Sequence, residues 1–182
     1  MKAVSRVDRF TFRGRAYFVK RDDLLDPLLS GNKYRKLYSL IQTPAERYTK
    51  LISYGGTQSN AMLSIAALCH RKGWAFHYTS KPVAAHLKAN PTGNLKMALK
   101  LGMQLHEVSH DKYEATINAL QSQADDTTLF VPQGGADPIA EHGINILAQE
   151  ISQWQQEHGI EELHLVTPSG TGTTAFYLAA AL

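Results

Sequence analysis

The sequence predicts an α/β fold of doubly wound parallel sheets, and three observations predict it. Short apolar, β-branched or aromatic runs recur at 50–53, 75–78, 104–108, 128–131 and 163–166. Segments with helical apolar spacing separate them. Glycine- and hydroxyl-rich loops follow three of the runs directly, at 53–60, 132–135 and 167–174. Strands alternating with helices at this spacing make βαβ units, because a parallel neighbour is reached only by a long crossover.

Each element has a local reason. Phe10 and Phe12, then residues 16–19, alternate around Arg13-Gly14 and predict a short hairpin. Ser30 is the expected N-cap of a helix running to about Ile41, with Leu37 and Leu40 or Ile41 on its apolar side. The repeating series follows as strand 50–53, helix 58–71, strand 75–78, helix 91–101, strand 104–108 and helix 112–123. It continues with strand 128–131, helix 138–157, strand 163–166 and a helix starting near Gly172. Residues 176–182 are apolar all round with no C-cap, so the partners of this last helix are expected in sequence beyond Leu182.

Composition narrows the function classes. A chain of 182 residues with 43% hydrophobic and 19% charged content suffices for one well-cored domain or two small lobes. The net charge of +3 comes from scattered basic residues, which argues against nucleic-acid and membrane partners. Cys69, the single cysteine, forms no intramolecular disulfide, and its apolar helical surroundings predict a buried structural thiol. The N-terminus lacks a secretory core, and no apolar run approaches the ~20 residues of a membrane span, so a cytoplasmic location is expected.

In open α/β sheets ligands collect beyond the carboxyl ends of the strands, so the three glycine loops are expected to share one edge. The loop at 167–174 joins a strand to a helix with small residues and five hydroxyls, a pattern that lets backbone N–H groups approach a phosphate. Residues Gly170 to Ala175 also fit G-x-G-x-x-A, which keeps a nucleotide-binding domain as an alternative, although no ribose-binding acid follows within the chain. His106-Glu107-Val108-Ser109-His110 fits H-E-x-x-H, but Met103, Leu105 and Val108 suit a strand, and no metal site is expected there.

Taken in order, Ser-Gly-Asn-Lys-Tyr-Arg-Lys-Leu at 30–37, Ser-Tyr-Gly-Gly-Thr-Gln-Ser-Asn at 53–60, residues 90–102, residues 132–144 and Thr-Pro-Ser-Gly-Thr-Gly-Thr-Thr-Ala at 167–175 carry a resemblance. With Val19 to Leu24 before them, the sequence resembles the pyridoxal-phosphate enzymes related to D-cysteine desulfhydrase and 1-aminocyclopropane-1-carboxylate deaminase, across nearly the whole chain. The resemblance implies the tryptophan synthase beta-like fold, fold type II, with the second half of the large lobe missing. Residues 1–47 are then the start of the large cofactor lobe, 48–158 the small lobe, and 159–182 the beginning of the remaining large lobe.

It also implies roles. Lys33 is the lysine that forms the Schiff base with pyridoxal 5'-phosphate, which requires a partly buried amine whose ammonium form is disfavoured. Arg35 and Lys36 need only solvated or salt-bridged roles. Ser59 lies at the substrate carboxylate or in proton transfer, Asn60 at the phenolic oxygen, and Ser169, Gly170, Thr171, Gly172 and Thr173 at the phosphate. The N-cap role common to small polar residues is the plain alternative for Ser59 and Asn60. The implied activity is lyase or deaminase chemistry on a small amino acid; a non-catalytic remnant serving as a binding or structural module is the competing reading.

Two features depart from the family pattern. Ala61 follows Gln58-Ser59-Asn60 where the family usually has histidine, which weighs against strict deaminase specificity. Family members also continue past the point matching Leu182, so an incomplete site is expected. The apolar edge at 175–182 makes a homo-oligomer the expected assembly.

Overall fold

The computed structural model of the protein describes residues 4–29 and 31–182. The expected hairpin forms from β1 (Val7–Phe12) and β2 (Arg15–Lys20), antiparallel with Phe10 opposite Tyr17. The helix expected from Ser30 to Ile41 is instead two short helices, α1 (Asn32–Lys36) and α2 (Tyr38–Gln42). Leu37, with φ −95° and ψ 6°, leaves helical geometry between them and turns the axis. The expected cap at Ser30 lies outside the described residues.

Four strands form one parallel sheet: β3 (Lys50–Tyr54), β4 (Ala75–Ser80), β5 (Gln104–Glu107) and β6 (Thr128–Val131), in spatial order β5-β4-β3-β6. The chain steps outward from β3 to β5 and then returns to the other side of β3, which is the doubly wound pattern. The strand order therefore reverses between β3 and β6, and the crevice at their carboxyl ends is where such sheets bind ligands. Helices α3 (Asn60–Lys72), α4 (Ala85–Ala89), α5 (Gly93–Lys100) and α6 (Tyr113–Gln121) connect the strands.

Alternation along the strands assigns the two faces. Leu51, Phe76, Tyr78 and Val131 join Met62, Leu68, Leu95 and Ala98 in the main core, which also takes Leu29, Leu37 and Leu40 from the N-terminal segment. Ile52, Tyr54 and Phe130 face the other way, where Tyr54 stacks on Phe130 at 5.8 Å and meets Tyr113 of α6 edge-on at 6.5 Å. Cys69 is 1% exposed in this core, with its thiol pushed up to about 12 by burial.

A second, smaller core joins α7 (Ala140–Glu157) to α8 (Thr173–Ala181) through Ile144, Leu147, Ile151 and Leu178. Helix α7 also crosses α1 so closely that a Cβ at Gly143 would overlap the Arg35 carbonyl oxygen and lie 2.6 Å from Tyr38 Cβ. Arg35, 1% exposed, fastens the crossing by pairing with Asp22 at 2.7 Å and with Glu150 of α7 at 2.7 Å. Lys20 donates to Glu150 at 2.6 Å, and Ser5 donates to Asp22 at 2.6 Å. Burial opposes the Arg35 charge, but the bonds to Asp22 and Glu150 outweigh it and raise the guanidinium pKa.

The expected strand at 163–166 does not form. A strand needs a ladder partner, and among the described residues none lies beside this segment, so Val166 is 98% exposed despite its strand-like composition. Among the described residues no helix is long and apolar enough to cross a membrane.

Candidate functional site

The three glycine loops come together, although only the first two follow strands, β3 and β6. Gly134, in the turn after β6, has φ +73°, and a Cβ there would sit 2.7 Å from Thr171 Cγ2, so only glycine permits this approach. Gly55, after β3, lies so close to the Tyr78 hydroxyl and Gln133 that a Cβ would meet them at 2.8 and 3.1 Å. These contacts chain together loops that lie well apart in the sequence.

Between them lies a cavity of about 180 Å³. Helix α1 contributes Asn32, Lys33 and Lys36; the start of α3 contributes Ser59, Asn60 and Ala61; the remaining wall is Gly134 with residues 168–174. Lys33, half-buried, donates from Nζ to Asn32 Oδ1 at 2.8 Å, and Asn32 Nδ2 contacts Thr174 Oγ1 at 3.4 Å. Burial lowers the Lys33 pKa, which increases the neutral, nucleophilic fraction of its amine.

Ser59 caps α3, its hydroxyl oxygen accepting from the Met62 N–H at 3.3 Å. That bond uses a lone pair and leaves the hydroxyl proton available to donate. Asn60 accepts at Oδ1 from Asn94 Nδ2 at 2.8 Å, so the donor end of its amide is left for other contacts. Ser169, Gly170, Thr171, Gly172 and Thr173 all line the cavity, with the hydroxyls of Thr171 and Thr173 2.8 Å apart. Gly172, at φ +77°, turns the chain into α8, whose first N–H groups have no intrahelical acceptor.

Lys36 is the residue that sequence reasoning missed. It is 3% exposed, neither solvated nor salt-bridged, and its Nζ reaches the Gly134 carbonyl at 3.2 Å and Thr171 Oγ1 at 3.1 Å. Burial, then the charge of Lys33, lowers its pKa to about 8. The available signal was spacing: positions 33 and 36 are i and i+3, one face of a helix. Two desolvated lysines, several hydroxyls and a helix N-terminus make a receptor for a multiply charged anion beside a nucleophilic amine.

The run from His106 to His110 lies on β5 and the loop after it, so its histidines do not share a helical face. His106 Nε2 instead meets His77 Nδ1 at 3.0 Å.

A family model described as pyridoxal-phosphate dependent enzyme matches residues 4–182. The bifunctional D-cysteine desulfhydrase/1-aminocyclopropane-1-carboxylate deaminase of Arabidopsis thaliana is 27% identical, the match covering 88% of this chain and 43% of that protein. The D-cysteine desulfhydrase of Serratia proteamaculans is 26% identical over 94% of this chain and 54% of its own. Among solved structures, an ACC deaminase homologue superposes with TM-score 0.70 at 20% identity, covering 97% of this chain and 55% of that one. A hydrogen sulfide-producing enzyme from Fusobacterium nucleatum gives TM-score 0.68 at 13% identity, over 97% of this chain and 57% of that one. The chain thus spans about half the length of the curated relatives it matches.

Proposed function

Because the chain belongs to the pyridoxal-phosphate dependent enzyme family, we propose that it carries the cofactor-capturing part of a lyase or deaminase acting on a small amino acid. The reading is of the kind named for the relatives, D-cysteine desulfhydrase or 1-aminocyclopropane-1-carboxylate deaminase. The observation that carries it is the convergence of Lys33 and Lys36 with the 169–173 loop, more than 130 positions away, on one cavity.

The donor set fits the cofactor. A phosphate needs cationic and N–H donors around a small space, and Lys36, the hydroxyls of Thr171 and Thr173 and the start of α8 meet that need. An aldehyde needs a nearby amine with an accessible neutral form, and the desolvated Lys33 meets it. When bound, pyridoxal phosphate supplies a ring that spreads the negative charge left at an amino acid's α-carbon.

The chain's residues do the rest. Lys33 Nζ, once neutral, is a base within the cavity and can hold a proton taken from substrate. Ser59 Oγ offers its proton to a substrate carboxylate while its lone pair keeps α3 capped, and the amide of Asn60 offers an N–H donor at the same entrance. Since the chain spans about half of its relatives, turnover is assigned to the whole protein they represent, and cofactor capture to this chain.

The test is to mix the protein with pyridoxal phosphate, reduce with borohydride and map the label by peptide mass. The expected result is pyridoxyl on Lys33 and loss of the visible absorption band in Lys33→Ala. A label on Lys36, or labels scattered over surface lysines and indifferent to Lys33→Ala, contradicts the reading.

A further inference from the structure

We propose that Asn94 is a positioning residue for the Lys33 cavity: it turns the Asn60 amide so that the nitrogen, not the oxygen, faces the ligand. The proposal rests on the reading of that cavity as the site of an anionic cofactor. It gives a role to the Asn-Pro-Thr-Gly-Asn stretch at 90–94.

Asn60 lines the cavity but is exposed, so water alone would leave its amide free to turn either end inward. Asn94, in the first turn of α5, removes that freedom. Its Nδ2 donates to Asn60 Oδ1 at 2.8 Å and to the Gln58 backbone carbonyl at 2.9 Å, which uses both of its protons. Gln58 closes the network: its Oε1 accepts from the Asn94 backbone N–H at 3.0 Å, and its Nε2 donates to the Thr92 carbonyl at 3.2 Å. Gly93, at φ +56°, permits this approach, because a Cβ there would sit 2.6 Å from Gln58 Oε1.

Backbone groups fix the direction of every bond in this network. A carbonyl only accepts and an N–H only donates, so neither the Gln58 nor the Asn94 amide reverses without setting like ends against each other. Asn60 therefore gives its oxygen to Asn94 and keeps its nitrogen for the cavity. The platform is anchored, since Leu95 and Ala98 of the same helix are 1% and 0% exposed in the main core. The direction matters because two lysines and the N-terminus of α8 draw negative charge into the cavity. A carbonyl turned inward would repel what an N–H attracts.

The test is Asn94→Asp, a near-isosteric change that puts acceptors where the donor stood. The fold tolerates it, because a carboxylate in the first turn of α5 is favoured by the helix dipole. In the cofactor-free chain, water exchange of side-chain amides measured by NMR is expected to show the Asn94 NH2 protected and the Asn60 NH2 open in the wild type. In Asn94→Asp the Asn60 NH2 becomes protected, having turned to the new carboxylate. Pyridoxal phosphate affinity, read from absorbance, falls about tenfold in Asn94→Asp and in Asn60→Ala, and no further in the double variant. An Asn60 NH2 already protected in the wild type, or unmoved by Asn94→Asp, overturns the proposal. So does wild-type affinity in Asn94→Asp, or a tenfold loss that persists when Asn94→Asp is added to Asn60→Ala, which marks charge repulsion and not orientation. Failure of the cofactor reading is distinct: the wild type then shows no label on Lys33, while amide exchange still decides the orientation of Asn60.

Discussion

Replacing Gly143 with alanine opposes two effects of known size at one position. Inside a helix, Gly→Ala stabilises by about 1 kcal/mol through backbone entropy alone. At Gly143 the added methyl overlaps the Arg35 carbonyl oxygen and lies 2.6 Å from Tyr38 Cβ, inside the 3.0 Å that real Cβ contacts respect. The obstacle is backbone and cannot swing away, so α1 must move off α7. That movement also stretches the 2.7 Å contact between Arg35 and Glu150, which spans the same two helices. Overpacking of this kind costs about 1–3 kcal/mol, and a backbone clash belongs at the upper end. The net expectation is a loss of about 2 kcal/mol after the propensity gain is subtracted. With a urea m-value of about 2 kcal/mol/M, the unfolding midpoint falls by about 1 M at unchanged m. A midpoint equal to or above that of the wild type would refute the close α1–α7 crossing and, with it, the placement of Lys33 and Lys36.

Two further outcomes are expected. Lys36 has a folded pKa of about 8 against an ordinary 10.5. Its burial therefore costs stability below about pH 8, and the cost fades as pH rises toward 10.5. A bound phosphate dianion favours the ammonium, so inorganic phosphate binding takes up protons just above pH 8 and weakens as pH rises through that value. Calorimetry in buffers of different ionisation enthalpy measures the uptake, and pH-independent affinity without uptake counts against Lys36 as a phosphate partner. Cys69, 1% exposed with its thiol pushed up to about 12, is expected to resist thiol reagents until the chain unfolds. Labelling in native buffer as fast as in urea would remove it from the core.

The hairpin, the four paired strands, α3 and α5 to α8 follow from features local enough to read along the chain. Alternation, helical apolar spacing and glycine at turns all act within a few residues, so β6 falls at 128–131 as its composition indicates. The short α4 was missed because five residues, Ala85–Ala89, show too little periodicity to register. The segment 163–166 shows the opposite error: the composition is strand-like, but pairing depends on a neighbour that composition cannot supply.

By itself the sequence determined the α/β alternation, the family likeness and the loops that carry small and hydroxyl residues, because each is encoded in contiguous residues. Only the tertiary structure decided what becomes of the three cations in Lys33-Tyr34-Arg35-Lys36. One helical turn sends Arg35 into a buried carboxylate pair on Asp22 and Glu150, while Lys33 and Lys36 enter the cavity that Gly134 and Thr171 close. Desolvation and charge pairing are set by atoms distant in the chain, so three neighbouring residues of like charge receive different protonation tendencies from the places the fold gives them.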